Sequence, residues 1–318
     1  MQAFIFDGTT RLANIPAPQL VPGEAIIAPR LAGICATDVH ITRGYMHYHG
    51  VLGHEFVGTV VECDEPGWIG QRVVGEINAC CHHCPTCARG DEPHCPNRTT
   101  LGIDRRDGTM AERFRLPLAN LHRVPAALTD EVAVFIEPLA AALEIVDRSH
   151  VRPTERIAVV GDGKLGLLVA QVLRLTGAEL VVVGHHPERW ELLQAQGIAT
   201  NGDPQALAAR DWDVVVDCTG SPAGLEAARR LVRPRGRLVL KSTFHGTSPL
   251  DLSLLVVDEI ALIGSRCGPF APALRLLERG LVETTPLIHA IYPLAEAEQA
   301  FGAAQGQVKV LLRMSSGS

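Results

Sequence analysis

Four cysteines, Cys81, Cys84, Cys87 and Cys95, stand in the spacing C-x2-C-x2-C-x7-C, with Gly90 at the bend before the last. Thiolates this close in sequence can converge on one tetrahedral zinc at about 2.3 Å per bond. Such a site leaves no open position, so its expected role is structural. Cys80 precedes the first of the four and offers a neighbouring thiol for ligand exchange. A second set of ligand types lies outside this loop. It comprises Cys35, Thr37, Asp38 and His40 in Gly33-Ile34-Cys35-Ala36-Thr37-Asp38-Val39-His40, His54 and Glu55 after Gly53, and Glu137 before Pro138-Leu139-Ala140. Taken singly, these read as a buried thiol, a satisfied imidazole, a helix cap and a helix-start acid.

Gly161-Asp162-Gly163-Lys164-Leu165-Gly166 is a G-x-G-x-x-G between a predicted strand and a predicted helix. The glycines permit a tight turn and close backbone approach, and the helix N-terminus attracts a pyrophosphate. A dinucleotide site is expected there. An Asp or Glu at the end of the next strand would bind the ribose 2′-hydroxyl of NAD. This chain instead reads Val183-Gly184-His185-His186-Pro187-Glu188-Arg189, with Gly184 at the acidic position. No carboxylate is expected to repel a 2′-phosphate, and His185, His186 and Arg189 could contact one, which favours NADP over NAD. Read otherwise, the same residues form a solvated loop with helix-capping chemistry.

These residues must be positioned by two kinds of structure. The first hundred or so residues are β-rich and broken, with strand-like runs at 1–6, 25–31, 56–63 and 72–74 punctuated by Gly and Pro. From about Asp130 the pattern becomes longer helical stretches alternating with short buried strands. Strands are expected at 156–160, 179–183, 214–218, 237–241 and 260–265, and helices at 164–176, 187–196 and 222–231. That alternation predicts an α/β fold with a doubly wound parallel sheet covered on both faces, of the Rossmann kind. A helix over 295–304 and a strand over 309–312 follow, and Met314–Ser318 reads as a small polar tail outside the fold.

At 318 residues, 47% hydrophobic and 20% charged, the chain can bury the cores of two domains. A net charge of −6 gives no basic footprint for nucleic acid. The densest apolar stretch, 132–146, is broken by Glu137, Pro138 and Glu144, so no membrane span is expected. The N-terminus lacks a basic segment followed by a long apolar one, and the cysteines outside the zinc spacing are scattered. A reduced cytoplasmic enzyme is the expectation.

Taken together, GICATDVH, GHEFVGTV, the four-cysteine loop, EPLA and GDGKLG occur in the order in which they occur in the zinc-dependent medium-chain alcohol dehydrogenases. The chain resembles that family nearly end to end, and its polyol, sugar and threonine dehydrogenase branch most, because Glu137 stands where liver alcohol dehydrogenases carry a cysteine. The resemblance implies a β-rich GroES-like catalytic domain over 1–125 and 289–318 and a Rossmann domain over 126–288. It implies a catalytic zinc on Cys35, His54 and either Glu55 or Glu137, besides the structural zinc, with Asp38 orienting His54 from behind. Thr37 would take the alcohol proton and pass it through the nicotinamide ribose to His40. Further cofactor contacts carried over are Thr219, Gly220, Lys241 and Arg266, with Lys309 approaching Glu55.

The family likeness also implies a small-molecule alcohol or carbonyl substrate and a homo-oligomer, a dimer or tetramer; the apolar strand at 260–263 could form the paired edge. The chain departs from the family pattern at His82, where Gly usually follows the first structural cysteine, and at Gln71, where Asp is usual. The segment 43–50, rich in aromatics and histidines, is expected to border the substrate or simply to pack. Two other functions remain open at this point: a zinc- and nucleotide-binding regulator without catalysis, and a zinc-free quinone or enoyl reductase of the same fold.

Overall fold

The computed structural model describes residues 1–243 and 250–314. They form two compact units, Met1–Glu137 with the segment from Phe270 onward, and Pro138–Pro269. Within the first unit the helices Asp130–Ala133 and Phe270–Glu278 meet, and the Phe270 ring stacks on His122 with centroids 5.4 Å apart. Helix Ile136–Ser149 carries the chain from the first unit into the second. Among the described residues, no helix is long and apolar enough to cross a membrane.

In the first unit the long strand Glu24–Ile34 is central. It pairs antiparallel with Glu55–Cys63, and at its far end with Lys309–Arg313. The register sets Gly33 opposite Glu55 and Ile34 opposite Val310. Three strand ends therefore meet where Cys35, His54 and Lys309 emerge. Phe4, Ile34, Val39, Ile41, Leu52, Met110, Phe301 and Leu312 form one buried cluster in this unit. Each such side chain contributes about 1.5–3 kcal/mol by leaving water. Met314, expected in a loose tail, belongs to that cluster, and its N–H donates to the Arg30 carbonyl at 3.1 Å. The rest of the tail, 315–318, lies outside the described residues. The four-cysteine loop leaves and re-enters a small sheet of Asn78–Ala79, Thr99–Leu101 and Arg105–Arg106.

The second unit is a parallel sheet in the order Ala199–Asn201, Glu179–Val183, Arg156–Val160, Trp212–Asp217, Val232–Leu240, Ala261–Gly264. Numbered along the chain this is 3-2-1-4-5-6, the doubly wound order. Ile157, Ala158 and Val159 are fully buried, as a strand covered on both faces requires. The strand Ala199–Asn201 was not anticipated, because three residues are too few to show alternation. The helix expected over 187–196 is a single tight turn, Pro187–Arg189, followed by a short helix, Glu191–Ala195. Its first turn tightens to i→i+3 bonds where His186 and Trp190 both reach the Asp162 carboxylate.

The sheet order reverses between the first and fourth strands, whose C-terminal ends lead into Gly161 and Cys218-Thr219. Gly161 has φ +111°, and a Cβ there would press on the Cys218 backbone at 2.9 Å. A Cβ on Gly166 would overlap the Gly161 carbonyl, so this glycine lets the helix Lys164–Arg174 close on the turn. Gly166→Ala is therefore expected to destabilise the protein by about 1–3 kcal/mol through overpacking. Thermal unfolding checks this, and an unchanged midpoint would refute the packing argument.

Candidate functional site

Cys35 follows the central strand and caps the short helix Ala36–Ile41. Its backbone N–H donates to Asp38 Oδ2 at 2.8 Å, and the Gly53 N–H donates to Asp38 Oδ1 at 3.2 Å. One fully buried carboxylate thus ties the Cys35 segment to the His54 segment. His54 Nδ1 lies 3.3 Å from Asp38 Oδ1, close enough for charge attraction but not aligned as a hydrogen bond. With Nδ1 turned to Asp38, Nε2 is the nitrogen left for a metal. Burial opposes charge on this imidazole, yet Asp38 and Cys35 hold its pKa well above the ordinary histidine value.

Donor atoms of Cys35, His54 and Glu55 all lie within 4.8 Å of one another. A sulfur, a nitrogen and an oxygen with one position left over is a donor set suited to a catalytic zinc. Glu55 fits because its cross-strand neighbour is Gly33, where a Cβ would overlap the Glu55 carboxylate. Lys309 Nζ donates to Glu55 Oε2 at 2.5 Å, and both residues are buried. Burial works against the Lys309 charge, but Glu55, Cys35 and Glu137 raise its pKa above the ordinary lysine value. Glu137, at the start of helix Ile136–Ser149, is not in the three-residue cluster but acts on the same lysine.

Thr37 Oγ1 is 3.8 Å from Cys35 Sγ, and His40 follows three residues later on the same face of the short helix. Of the neighbouring segment, Tyr48 is buried, with its hydroxyl 2.9 Å from the Val51 carbonyl, and His49 stacks on Phe6. Met46 and His47 are exposed, and both have positive φ, at 61° and 50°.

The four cysteines of the loop also converge within 4.8 Å. Their Sγ atoms are 3.5 Å (Cys81–Cys95), 3.6 Å (Cys84–Cys87), 3.8 Å (Cys84–Cys95) and 4.0 Å (Cys81–Cys87) apart. A tetrahedron with bonds of about 2.3 Å has edges of about 3.8 Å, so the donors fit zinc. The His83 backbone N–H and neighbouring donors draw the Cys81 thiol down to about 5, while burial pushes Cys87 up to about 12. Cys80 stands outside the cluster: its Sγ points to the Glu92 carbonyl at 2.9 Å, and burial raises it to about 11. Support behind the loop comes from residues that carry no sequence signal. Asn120 Nδ2 donates to the Glu76 and Asn78 carbonyls at 2.8 Å each, and Thr100 Oγ1 lies 3.3 Å from Asn78 Oδ1.

In the second unit, a Cβ on Gly163 would meet nothing within 4 Å, which leaves the open backbone approach that a pyrophosphate needs. Gly163 caps the helix begun by Lys164 and Leu165. Thr219 is held by Asp217, its N–H at 2.9 Å and its Oγ1 at 2.7 Å from Asp217 Oδ1, and Gly220 turns with φ +65°. Lys241 is buried rather than a surface lysine, with Nζ 2.5 Å from the carbonyl of the exposed Arg266. His185 is exposed, whereas Arg189 is largely covered and 3.7 Å from Glu188. The expectation that no carboxylate lies near Gly184 does not hold. Asp162 reaches across from the turn, and a Cβ on Gly184 would overlap its carboxylate. Sequence reading passed over Asp162 because it occupies a variable position of the glycine motif.

A metal-ready cluster in one unit and a dinucleotide turn in the other define a metal-dependent nucleotide-linked oxidoreductase. Residues 21–126 match the alcohol dehydrogenase GroES-like domain, and residues 165–279 match the zinc-binding dehydrogenase domain. The chain is 30% identical to 2-dehydro-3-deoxy-L-galactonate 5-dehydrogenase of Pseudoalteromonas atlantica, over 91% of this chain and 90% of that protein. A zinc-binding dehydrogenase of Sinorhizobium meliloti 1021, solved bound to NADP, superposes with TM-score 0.88 at 28% identity, covering 98% of both chains. RspB of Escherichia coli CFT073, solved with NADH, gives TM-score 0.88 at 25% identity, covering 98% of this chain and 99% of that one. The chain belongs to the zinc-dependent medium-chain alcohol dehydrogenase family, and it is an NAD(P)-linked dehydrogenase.

The buried Lys309–Glu55 pair gives a test of the site's framework. In the metal-free protein, Lys309→Met leaves the buried Glu55 carboxylate unpaired and is expected to cost about 3–5 kcal/mol. Adding Glu55→Gln to Lys309→Met should recover much of that loss in denaturant unfolding; additive losses would contradict the pairing.

Proposed function

We propose that the protein oxidises a secondary hydroxyl of a small polyol, sugar acid or related hydroxy compound, reversibly, with two zinc ions per chain. The observation that carries this is the convergence of Cys35, His54 and Glu55, from the end of one strand and the start of its neighbour. The similarity to a dehydrogenase named for a polyhydroxylated sugar acid supports the substrate class. Cys35 and His54 hold the catalytic zinc together with a carboxylate. Glu55 is the better placed by its membership of the cluster, and Glu137 is the alternative. Cys81, Cys84, Cys87 and Cys95 hold the structural zinc.

When bound, zinc supplies the Lewis acidity that acidifies an alcohol hydroxyl, and nicotinamide supplies the hydride acceptor. The chain's own residues do the rest. Asp38 fixes the His54 ring so that Nε2 faces the metal position. Thr37, beside Cys35, would accept the hydroxyl proton while giving up its own, and His40, one turn along the same helix, would be the group that takes on the relayed proton and passes it to solvent. Lys309 neutralises Glu55 and keeps a buried second carboxylate tolerable. Gly161, Gly163, Gly166, Thr219, Gly220, Lys241 and Arg266 bind the dinucleotide. NADP is the reading that Gly184, His185 and Arg189 support; the place of Asp162 favours NAD.

Ala261–Gly264 is the last strand of the parallel sheet, and the adjacent helix Leu252–Val257 exposes Leu252, Val256 and Val257. We infer a homo-oligomer built on that edge, a dimer or tetramer; sedimentation as a monomer would contradict it. None of the nine cysteines is joined to another by a disulfide, which suits the reducing cytoplasm.

The test is a panel of polyols, sugar acids and hydroxy amino acids with both cofactors, read as nicotinamide absorbance. Turnover of at least one class is expected, with Cys35→Ala and His54→Ala inactive yet still binding cofactor. Retained activity in either variant would sink the assignment. Metal analysis separates the two zincs: Cys95→Ser and Cys35→Ala should each lose one zinc per chain, and Cys80→Ser none.

A further inference from the structure

The second strand of a dinucleotide-binding sheet ordinarily ends in an acidic residue that accepts the ribose 2′-hydroxyl and disfavours a 2′-phosphate. Here the strand Glu179–Val183 runs into Gly184. A carboxylate nevertheless occupies that place, delivered by Asp162 from the turn after the first strand. Asp162 Oδ2 accepts the His186 backbone N–H at 2.7 Å and the Trp190 indole N–H at 2.9 Å, and Oδ1 lies 2.8 Å from His186 Nδ1. The two glycine-linked positions exclude one another. A Cβ on Gly184 would overlap the Asp162 carboxylate, so an acid at 184 has no room while Asp162 is present.

Asp162 is 3% exposed. Burial pushes its pKa up, but its bonds to His186 and Trp190 hold it below the ordinary carboxylate range, so it is ionised at neutral pH. The side chains that could contact a 2′-phosphate are partly committed. The His186 ring faces Asp162, and Arg189 is largely covered beside Glu188, which leaves His185 exposed.

We propose that Asp162 stands in for the missing strand-end acid and makes the protein select NAD over NADP. The inference rests on reading this unit as a dinucleotide site. Three donors leave about one of the roughly four lone-pair sites of a carboxylate for a ribose hydroxyl. Repulsion of a 2′-phosphate needs no contact at all, because a buried charge is weakly screened. A purely loop-holding Asp162 would instead affect both cofactors alike.

Calorimetric titration of the purified protein tests this with NAD+, NADP+, 5′-AMP and adenosine 2′,5′-bisphosphate as ligands. In the wild type, ligands without the 2′-phosphate should bind tighter by about tenfold or more, the scale of one charge-assisted hydrogen bond. Asp162→Asn keeps the volume and removes the charge, and should bring that ratio to about one. The double substitution Asp162→Gly with Gly184→Asp moves the carboxylate to the strand end and should restore the preference. A wild type that binds NADP+ as tightly as NAD+ overturns the proposal, and so does an Asp162→Asn ratio within about twofold of the wild type. A protein that binds neither dinucleotide overturns the nucleotide reading itself.

Discussion

The buried Asp38 carboxylate is the constraint on which the first unit's site depends. Its two oxygens accept the backbone N–H groups of Cys35 and Gly53 and lie beside His54. These groups come from separate segments, one leaving the central strand and one entering its neighbour. Antiparallel pairing brings the segments close, and Asp38 ties together the stretches that carry Cys35 and His54. A carboxylate with no exposure is costly unless fully bonded. The bonds that offset this cost hold the carboxylate beside the imidazole, where its charge faces His54 Nδ1 at 3.3 Å.

Acidic side chains set into glycine-made space recur in both units. Glu55 occupies the space left by Gly33 and is neutralised by Lys309. Asp162 occupies the space left by Gly184 and is satisfied by His186 and Trp190. In each case the glycine is required by a side chain from another strand or turn rather than by a turn of its own. Substituting either glycine would evict a charged group from its partners, a larger perturbation than a misplaced methyl.

Much of this was legible in the sequence, for reasons that differ by element. Arg156–Val160, Glu179–Val183 and Pro222–Leu231 fall where apolar runs, periodicity and capping place them, because local pattern and tertiary burial agree there. The four-cysteine cluster was legible from spacing alone, since its ligands lie within one short loop. Cys35 and His54 were recognisable only through family likeness, because their proximity depends on strand register. Asp162 was missed because its role depends on what residue 184 lacks, which no local pattern records. Met314 was misread because composition alone does not show that its backbone continues bonding, to Arg30.

The proposed function separates the strongest metal signal in the chain, the four-cysteine loop, from the metal that would do the chemistry. Anomalous diffraction at the zinc edge, from crystals grown with zinc, tests it most directly. Two peaks per chain are predicted, one amid Cys81, Cys84, Cys87 and Cys95, the other at bonding distance from Cys35 Sγ and His54 Nε2 with a carboxylate of Glu55 or Glu137. A single peak confined to the four cysteines would contradict it.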